Sequence, residues 1–338
     1  MGLESCALPR RSGQRRRIRF LAFGGTIASV RREGMTEVAP SLSGAELVES
    51  IPELAAIADV EVQEFPPIAS FAVTIPAMLD LARAVIEAHE EGCDGVVISH
   101  GTDTIEETAY ALALTVPRDR QAVLTGAMRN PTLPGTDGPA NLIAAFVAAG
   151  SPLSAGLGPI VLFNDDLHAA RFVTKTHTSR VSTMGSPGAG PLGGIVEGRV
   201  DVWWRPAWED YLGLPGSLDG DDVELVRIAA DVSDTLLRAA AERRPAGIVI
   251  EGTGGGHLPP PLLPALDDIL GAGIPVVIAS RSAAGPNLES TYRMPGGETD
   301  LIERGAVPAG WLSGHKARLR LLVGLALGRE TRALFPVR

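Results

Sequence analysis

The chain has 338 residues, 45% of them hydrophobic but only 4% aromatic, and a formal net charge of -10. That length is long for one domain and comfortable for two, and with so few rings the cores must rest on Ala, Val, Leu and Ile. The acidic balance argues against a general nucleic-acid binder, two cysteines without CxxC spacing (Cys6 and Cys93) argue against a disulfide framework or thiolate metal site, and no apolar run approaches the ~20 residues of a membrane span.

Residues 1–17 hold Arg10, Arg11, Arg15, Arg16 and Arg17 without the apolar segment of a secretory signal. They read as a disordered basic extension, and a cytoplasmic location is expected. Residues 18–23 (IRFLAF) are the first strand, running into Gly24-Gly25-Thr26. Residues 30–40 lack a period and read as a mobile loop. Residues 42–57 look helical with a break at Pro52, 60–65 form a second strand, and 76–90 an amphipathic helix with proline at its start. Residues 95–108 (GVVISHGTDTIEET) follow: a β-branched buried strand, a polar turn, and a helix start at Ile105. Thr104 and Glu107 have capping-box spacing. A strand at 121–124 leads into Thr125-Gly126-Ala127-Met128-Arg129 and a Pro/Gly-rich loop, then a helix at 139–149 and a strand at 160–163. Residues 171–182 (RFVTKTHTSRVS) show mild alternation and suit a hairpin carrying Lys175.

Residues 206–222, rich in Pro, Gly and Ser, are the candidate linker between an N-terminal catalytic domain (18–205) and a C-terminal domain (223–338). A second α/β pattern restarts there: strands at 223–228, 246–250 and 275–279, helices at 233–243, 260–270 and 316–327. The turn 251–257 (EGTGGGH) has no GxGxxG spacing and no Walker lysine, so a nucleotide site is not supported. His257 has no close ligand-spaced partner, so no metal or cofactor is expected. Alternating strands and helices make the fold class α/β, two domains each with a mainly parallel sheet covered by helices. Successive strand exits then meet on one sheet edge, where ligands bind in such folds. Gly24–Thr26, Thr102-Asp103 and Gly126–Met128 are the candidates to line that crevice.

Two of these turns carry a family likeness. Gly24-Gly25-Thr26-Ile27-Ala28 and His100-Gly101-Thr102-Asp103-Thr104 resemble the two signature motifs of the bacterial-type L-asparaginases, the asparaginase/glutaminase family. Thr125–Arg129, Val173-Thr174-Lys175-Thr176 and the ending from Ser290-Thr291-Tyr292 to Lys316-Ala317-Arg318 resemble further segments of it, so the likeness runs from about Ile18 onward. The resemblance implies a larger N-terminal and a smaller C-terminal domain. It also implies homotetramers built from intimate dimers, with each active site between one subunit's N-terminal and its neighbour's C-terminal domain. The expected activity is release of ammonia from L-asparagine, and more slowly from L-glutamine. Thr26 matches the family's usual nucleophile, and Thr102, Asp103 and Lys175 its second hydroxyl–carboxylate–amine group. A threonine hydroxyl needs a base or low-pKa partner to attack at neutral pH. Lys175 beside Asp103 suits a proton relay, while Asp103 equally suits the substrate's α-amino group. Backbone N–H groups near Thr102 and Ala127 suit an oxyanion, at ~3 kcal/mol per donor. The resemblance leaves open which threonine carries the acyl group.

The departures from the family are specific. No tyrosine lies in 30–40, where many members place one; Tyr292, at a position often glutamate, offers a hydroxyl in its stead. Ser70 matches a substrate-carboxylate contact, but Phe71 follows where a polar residue is common, which suggests a high KM or another preferred amide. His257 falls where an asparagine often reaches across the interface. Alternatives are therefore an amidase preferring glutamine or another small amide, a weakly active paralogue that binds amino acids, and amide supply to a partner enzyme.

Overall fold

The computed structural model describes residues 15–31, 38–40, 42–218 and 222–336. Of the expected basic extension, residues 1–14 lie outside that set, and Arg16 and Arg17 already belong to the first strand. Of the expected loop, residues 32–37 lie outside it too. The chain divides into two units, Met1–Tyr211 and Leu212–Arg338.

The first unit is built on an eight-stranded sheet. Its strands are β1 (Arg16–Ala22), β4 (Ala58–Glu64), β5 (Gly95–Ser99), β6 (Ala122–Thr125), β7 (Ile160–Phe163), β8 (Asp166–Ala169), β11 (Gly193–Val196) and β12 (Arg199–Val202). Two short antiparallel ribbons complete it: β2 (Ser29–Arg31) with β3 (Val38–Pro40), and β9 (Thr174–Lys175) with β10 (Met184–Gly185). The order in the sheet is β12-β11-β8-β7-β6-β5-β1-β4. The five strands from β4 to β7 are parallel, and β8, β11 and β12 add antiparallel pairs at one side. Those pairs were not foreseen. Their signal is the turn chemistry: Asn164-Asp165 and Glu197-Gly198 all take positive φ, as two-residue hairpin turns require.

Helices α1 (Gly44–Glu49) and α2 (Glu53–Ile57) flank the break at Pro52. Helices α3 (Ile75–Glu90), α4 (Ile105–Thr115) and α5 (Gly138–Gly150) follow. One core joins Phe20, Ile27, Leu54, Val97, Val123 and Phe146, so α2 and α5 cover one face of the sheet. Side chains alternate along a strand, so Val96 and Ile98 face the other side, where α3 and α4 pack together. All five residues of β5 are buried, which explains its unbroken apolar run. The capping box expected at Thr104 is absent: its hydroxyl instead donates to the Ser70 carbonyl at 2.7 Å. A capping box does form at Ser43 and Glu46. The segment ending the unit is held by Arg118, which donates to the carbonyls of Pro206 and Trp208, and by Arg171 on the buried Asp210.

The second unit has four parallel strands in sequence order: β13 (Val223–Arg227), β14 (Gly247–Gly252), β15 (Val276–Ser280) and β16 (Val307–Pro308). Its helices are α6 (Thr235–Glu242), α7 (Leu263–Gly271), α8 (Glu298–Arg304), α9 (Gly314–Ala326) and α10 (Thr331–Leu334). Ile248, Ile250, Leu262, Leu266 and Ile278 form its core. The larger and smaller domains expected of the chain are thus both present.

Candidate active site

Three glycine-bearing strand exits close on one another in the first unit. Gly25, at φ 95°, brings its backbone so near the second exit that a Cβ there would sit 2.5 Å from the Gly101 nitrogen. Only glycine fits such a left-handed position with backbone on its open side. Thr26 follows at once, partly exposed, at the head of a 3-10 turn (Thr26–Ala28). The third exit is as tight: a Cβ on Gly126 would meet the His100 carbonyl oxygen at 2.4 Å and the Thr102 methyl at 3.5 Å. The three turns therefore share one crevice at the C-terminal edge of β1, β5 and β6.

The polar group at its centre comes from three segments. Lys175 Nζ, on β9, donates to Thr102 Oγ1 at 2.8 Å and to Asp103 Oδ1 at 2.6 Å. The other Asp103 oxygen accepts from Ser70 Oγ at 2.9 Å. The bond from Lys175, then that from Ser70, holds the Asp103 carboxyl below the usual carboxylate range against the opposing effect of burial. Asp103 is thus the ionised partner of an ammonium that also touches a hydroxyl oxygen. That arrangement stabilises negative charge developing on Thr102 Oγ1 or on a group bound beside it.

Behind this group lies His100, fully buried and stacked on Phe23. Burial pushes its pKa down to about 4, so the ring is neutral at physiological pH. Nδ1 lies 2.7 Å from the Gly101 carbonyl, so it carries the proton and donates, while Nε2 accepts from Thr108 Oγ1 at 2.9 Å. A trans peptide points its C=O and N–H in opposite directions. Pinning the Gly101 carbonyl on the ring therefore directs the Thr102 N–H away from the buried imidazole.

In the second unit, His257 and Tyr292 meet edge to face, with ring centroids 5.2 Å apart. His257 Nε2 lies 3.0 Å from Oε2 of the buried Glu298, whose other oxygen accepts the backbone N–H groups of Thr291 and Tyr292. Together these bonds hold the Glu298 carboxyl below its usual range although burial opposes them. Tyr292 is 43% exposed, and Phe71 in the first unit 81%, so neither is core packing within its own unit. Among the described residues no group of three or more His, Cys, Asp or Glu is placed to hold a metal ion.

The family model described as Asparaginase, N-terminal matches residues 17–208, and that of the Glutaminase/Asparaginase C-terminal domain matches 222–335. The chain belongs to the asparaginase family. It is 34% identical over 320 residues to the L-asparaginase of Bacillus licheniformis, covering 93% of this chain and 97% of that protein. It is 40% identical over 319 residues to the "Probable L-asparaginase" of Deinococcus radiodurans, covering 92% and 94%. The crystal structure titled "Probable Cytoplasmic L-asparaginase from Campylobacter jejuni" superposes with a TM-score of 0.85 at 31% identity, covering 94% of this chain and 98% of that one.

Within this asparaginase fold, hydrogen bonds join Thr102, Asp103, Lys175 and Ser70 directly. Thr26 and Ala127 each follow a glycine, Gly25 and Gly126, that packs against the His100–Gly101 backbone. His257 and Tyr292 form their own cluster with Glu298, which sequence reasoning missed. Its signal was Gly296-Gly297 followed by Glu298 and Asp300, an acidic helix start.

Proposed function

We propose that the protein hydrolyses L-asparagine to L-aspartate and ammonia through a threonyl ester. What carries this reading is the single ammonium of Lys175 shared by Thr102 Oγ1 and Asp103 Oδ1. The relatives' names support the amide and its amino-acid side chain. The Thr26 hydroxyl attacks the side-chain amide carbon, and the tetrahedral oxyanion takes N–H donors from the backbone at Thr102 and Ala127. Thr102, Lys175 and Asp103 pass the proton to the departing ammonia and then take one from the water that cleaves the ester. Ser70, beside Asp103, receives the substrate's α-carboxylate.

Lys175's direct bond to Thr102 favours a second reading, in which Thr102 is the acylated residue. Ammonia release by the purified protein with L-asparagine and L-glutamine, beside Thr26→Ala and Thr102→Ala, tests the function. Mass spectrometry of acid-quenched enzyme identifies the acylated threonine. Loss of turnover in both variants supports the amidohydrolase; undiminished turnover in either removes that residue from the chemistry. Glutamine is the second expected substrate, in keeping with the description of the matched C-terminal domain. A homotetramer is proposed on the same resemblance, and a cytoplasmic location on the name of the Campylobacter jejuni structure; analytical ultracentrifugation and cell fractionation test them. No helix of the described residues is long and apolar enough to cross a membrane.

A further inference from the structure

The third strand exit carries a device that the catalytic group does not explain. Two side chains at the start of α5 grip the peptides on either side of Ala127. Asn141 Nδ2 donates to the Gly126 carbonyl at 2.9 Å, and Asn141 Oδ1 accepts the Asn164 N–H at 3.0 Å. The Asp137 carboxylate accepts the Met128 N–H at 2.9 Å and the Arg129 N–H at 2.8 Å. Asn141 is buried and also donates to Asp137 at 3.3 Å, so the two grips are one unit.

The geometry has a direct consequence for Ala127. Its peptides are trans, so fixing the Gly126 carbonyl toward α5 turns the Ala127 N–H away from it. Fixing the Met128 N–H toward α5 likewise turns the Ala127 carbonyl away. Both polar groups of Ala127 then point to the side opposite α5, and neither bonds to another described residue. One donor and one acceptor on the same side of a residue match the acceptor and donor of a primary amide, as in a single β-bridge pair. A Cβ on Gly126 would stand 3.5 Å from the Thr102 methyl, so that pair lies beside the catalytic group.

We propose that Asp137 and Asn141 are positioning residues that set the Ala127 peptide groups to receive the scissile carboxamide. This rests on the amidohydrolase reading above. As the carbonyl oxygen gains charge, the Ala127 N–H bond strengthens, so the grip acts more on the transition state than on the bound substrate.

The test compares Asn141→Leu, Asp137→Ala and Asp137→Asn with the wild type in kcat and KM for L-asparagine. The inhibition constant of L-aspartate, which carries no carboxamide, is measured alongside. Asn141→Leu keeps the side-chain size and removes the donor, and Asp137→Asn keeps an acceptor for the backbone. Expected are a kcat lower by roughly tenfold to a hundredfold in Asn141→Leu and Asp137→Ala, aspartate inhibition unchanged within about threefold, and kcat largely restored in Asp137→Asn. If Asn141→Leu does not fold, the Asp137 pair decides alone. An unchanged kcat, or aspartate affinity falling in parallel with kcat, overturns the positioning role. A wild type that releases no ammonia overturns the amidohydrolase reading, and this one with it.

Discussion

Both units end parallel strands in glycine-rich turns at the C-terminal edge of their own sheets, yet they hold different chemistry. In the first, glycines bring three backbones into contact, and the side chains that follow them meet around Lys175. In the second, the turn after β14 has more consecutive glycines, but its carbonyls are taken up structurally: Thr253 and His257 pair as an isolated bridge, Ser280 Oγ donates to the Gly254 carbonyl, and the Leu288 N–H to that of Gly255. Glycine density is therefore no measure of a site. What counts is whether a tight turn lets charged and hydroxyl groups from distant segments converge. The second unit instead offers one imidazole, oriented by a buried carboxylate, and one phenol.

The comparison breaks most sharply at the catalytic group. Lys175→Met is expected to lower kcat for asparagine by roughly 10²–10⁴-fold with a melting temperature close to wild type, because Asp103 is half-exposed and its ion pair adds little to stability. A large fall in melting temperature with kcat preserved would make Lys175 a structural residue. Glu298→Ala in the second unit should do the reverse. It strips a buried acceptor from two backbone N–H groups and from His257, at about 1–3 kcal/mol of stability, read as a lower urea midpoint.

Acid separates buried rings from the exposed carboxylate. His100 and His168 are both pushed down to about 4 by burial, against about 6.5 in an unfolded chain. Their depressed pKa values mean that the stability linked to keeping them neutral is full above about 6.5 and is lost as pH falls toward 4. Asp103, lowered by its bond to Lys175, contributes above the unfolded carboxylate value of about 3.9 and loses that contribution as pH falls below it. Urea midpoints of the wild type should therefore fall between pH 6.5 and 4, and Lys175→Met should leave that fall unaltered.

The smallest expected effect lies at the mouth of the site. Phe71 is 81% exposed beside Ser70. Phe71→Gln is expected to lower KM for asparagine by about tenfold, the equivalent of one added hydrogen bond, with kcat unchanged. A rise in KM would show that the phenyl ring itself receives the preferred substrate. Tyr292→Phe tests the second unit's phenol in the same assay: undiminished turnover removes its hydroxyl from the mechanism.

Much of this was legible before folding. The break at Pro52, the β-branched run of β5 and the polar exits after β1, β5 and β6 all lie within a few residues of the structure they specify. The antiparallel side of the sheet went unread, although Asn164-Asp165 and Glu197-Gly198 carry its turn chemistry. The Thr104–Glu107 spacing misled, because the Ser70 carbonyl, 34 residues away in sequence, takes the hydroxyl that a cap would use.

The sequence alone determined the elements, their alternation and the residue types at each strand exit, because periodicity, glycine and proline act over one or two turns of chain. Only tertiary structure decided which exits meet. Lys175 reaches Thr102 across 73 residues, Asn141 fixes a carbonyl 15 residues earlier, and Glu298 orients His257 across 41. Those partners are chosen by strand order and by the direction in which each peptide plane points, and local propensity sets neither.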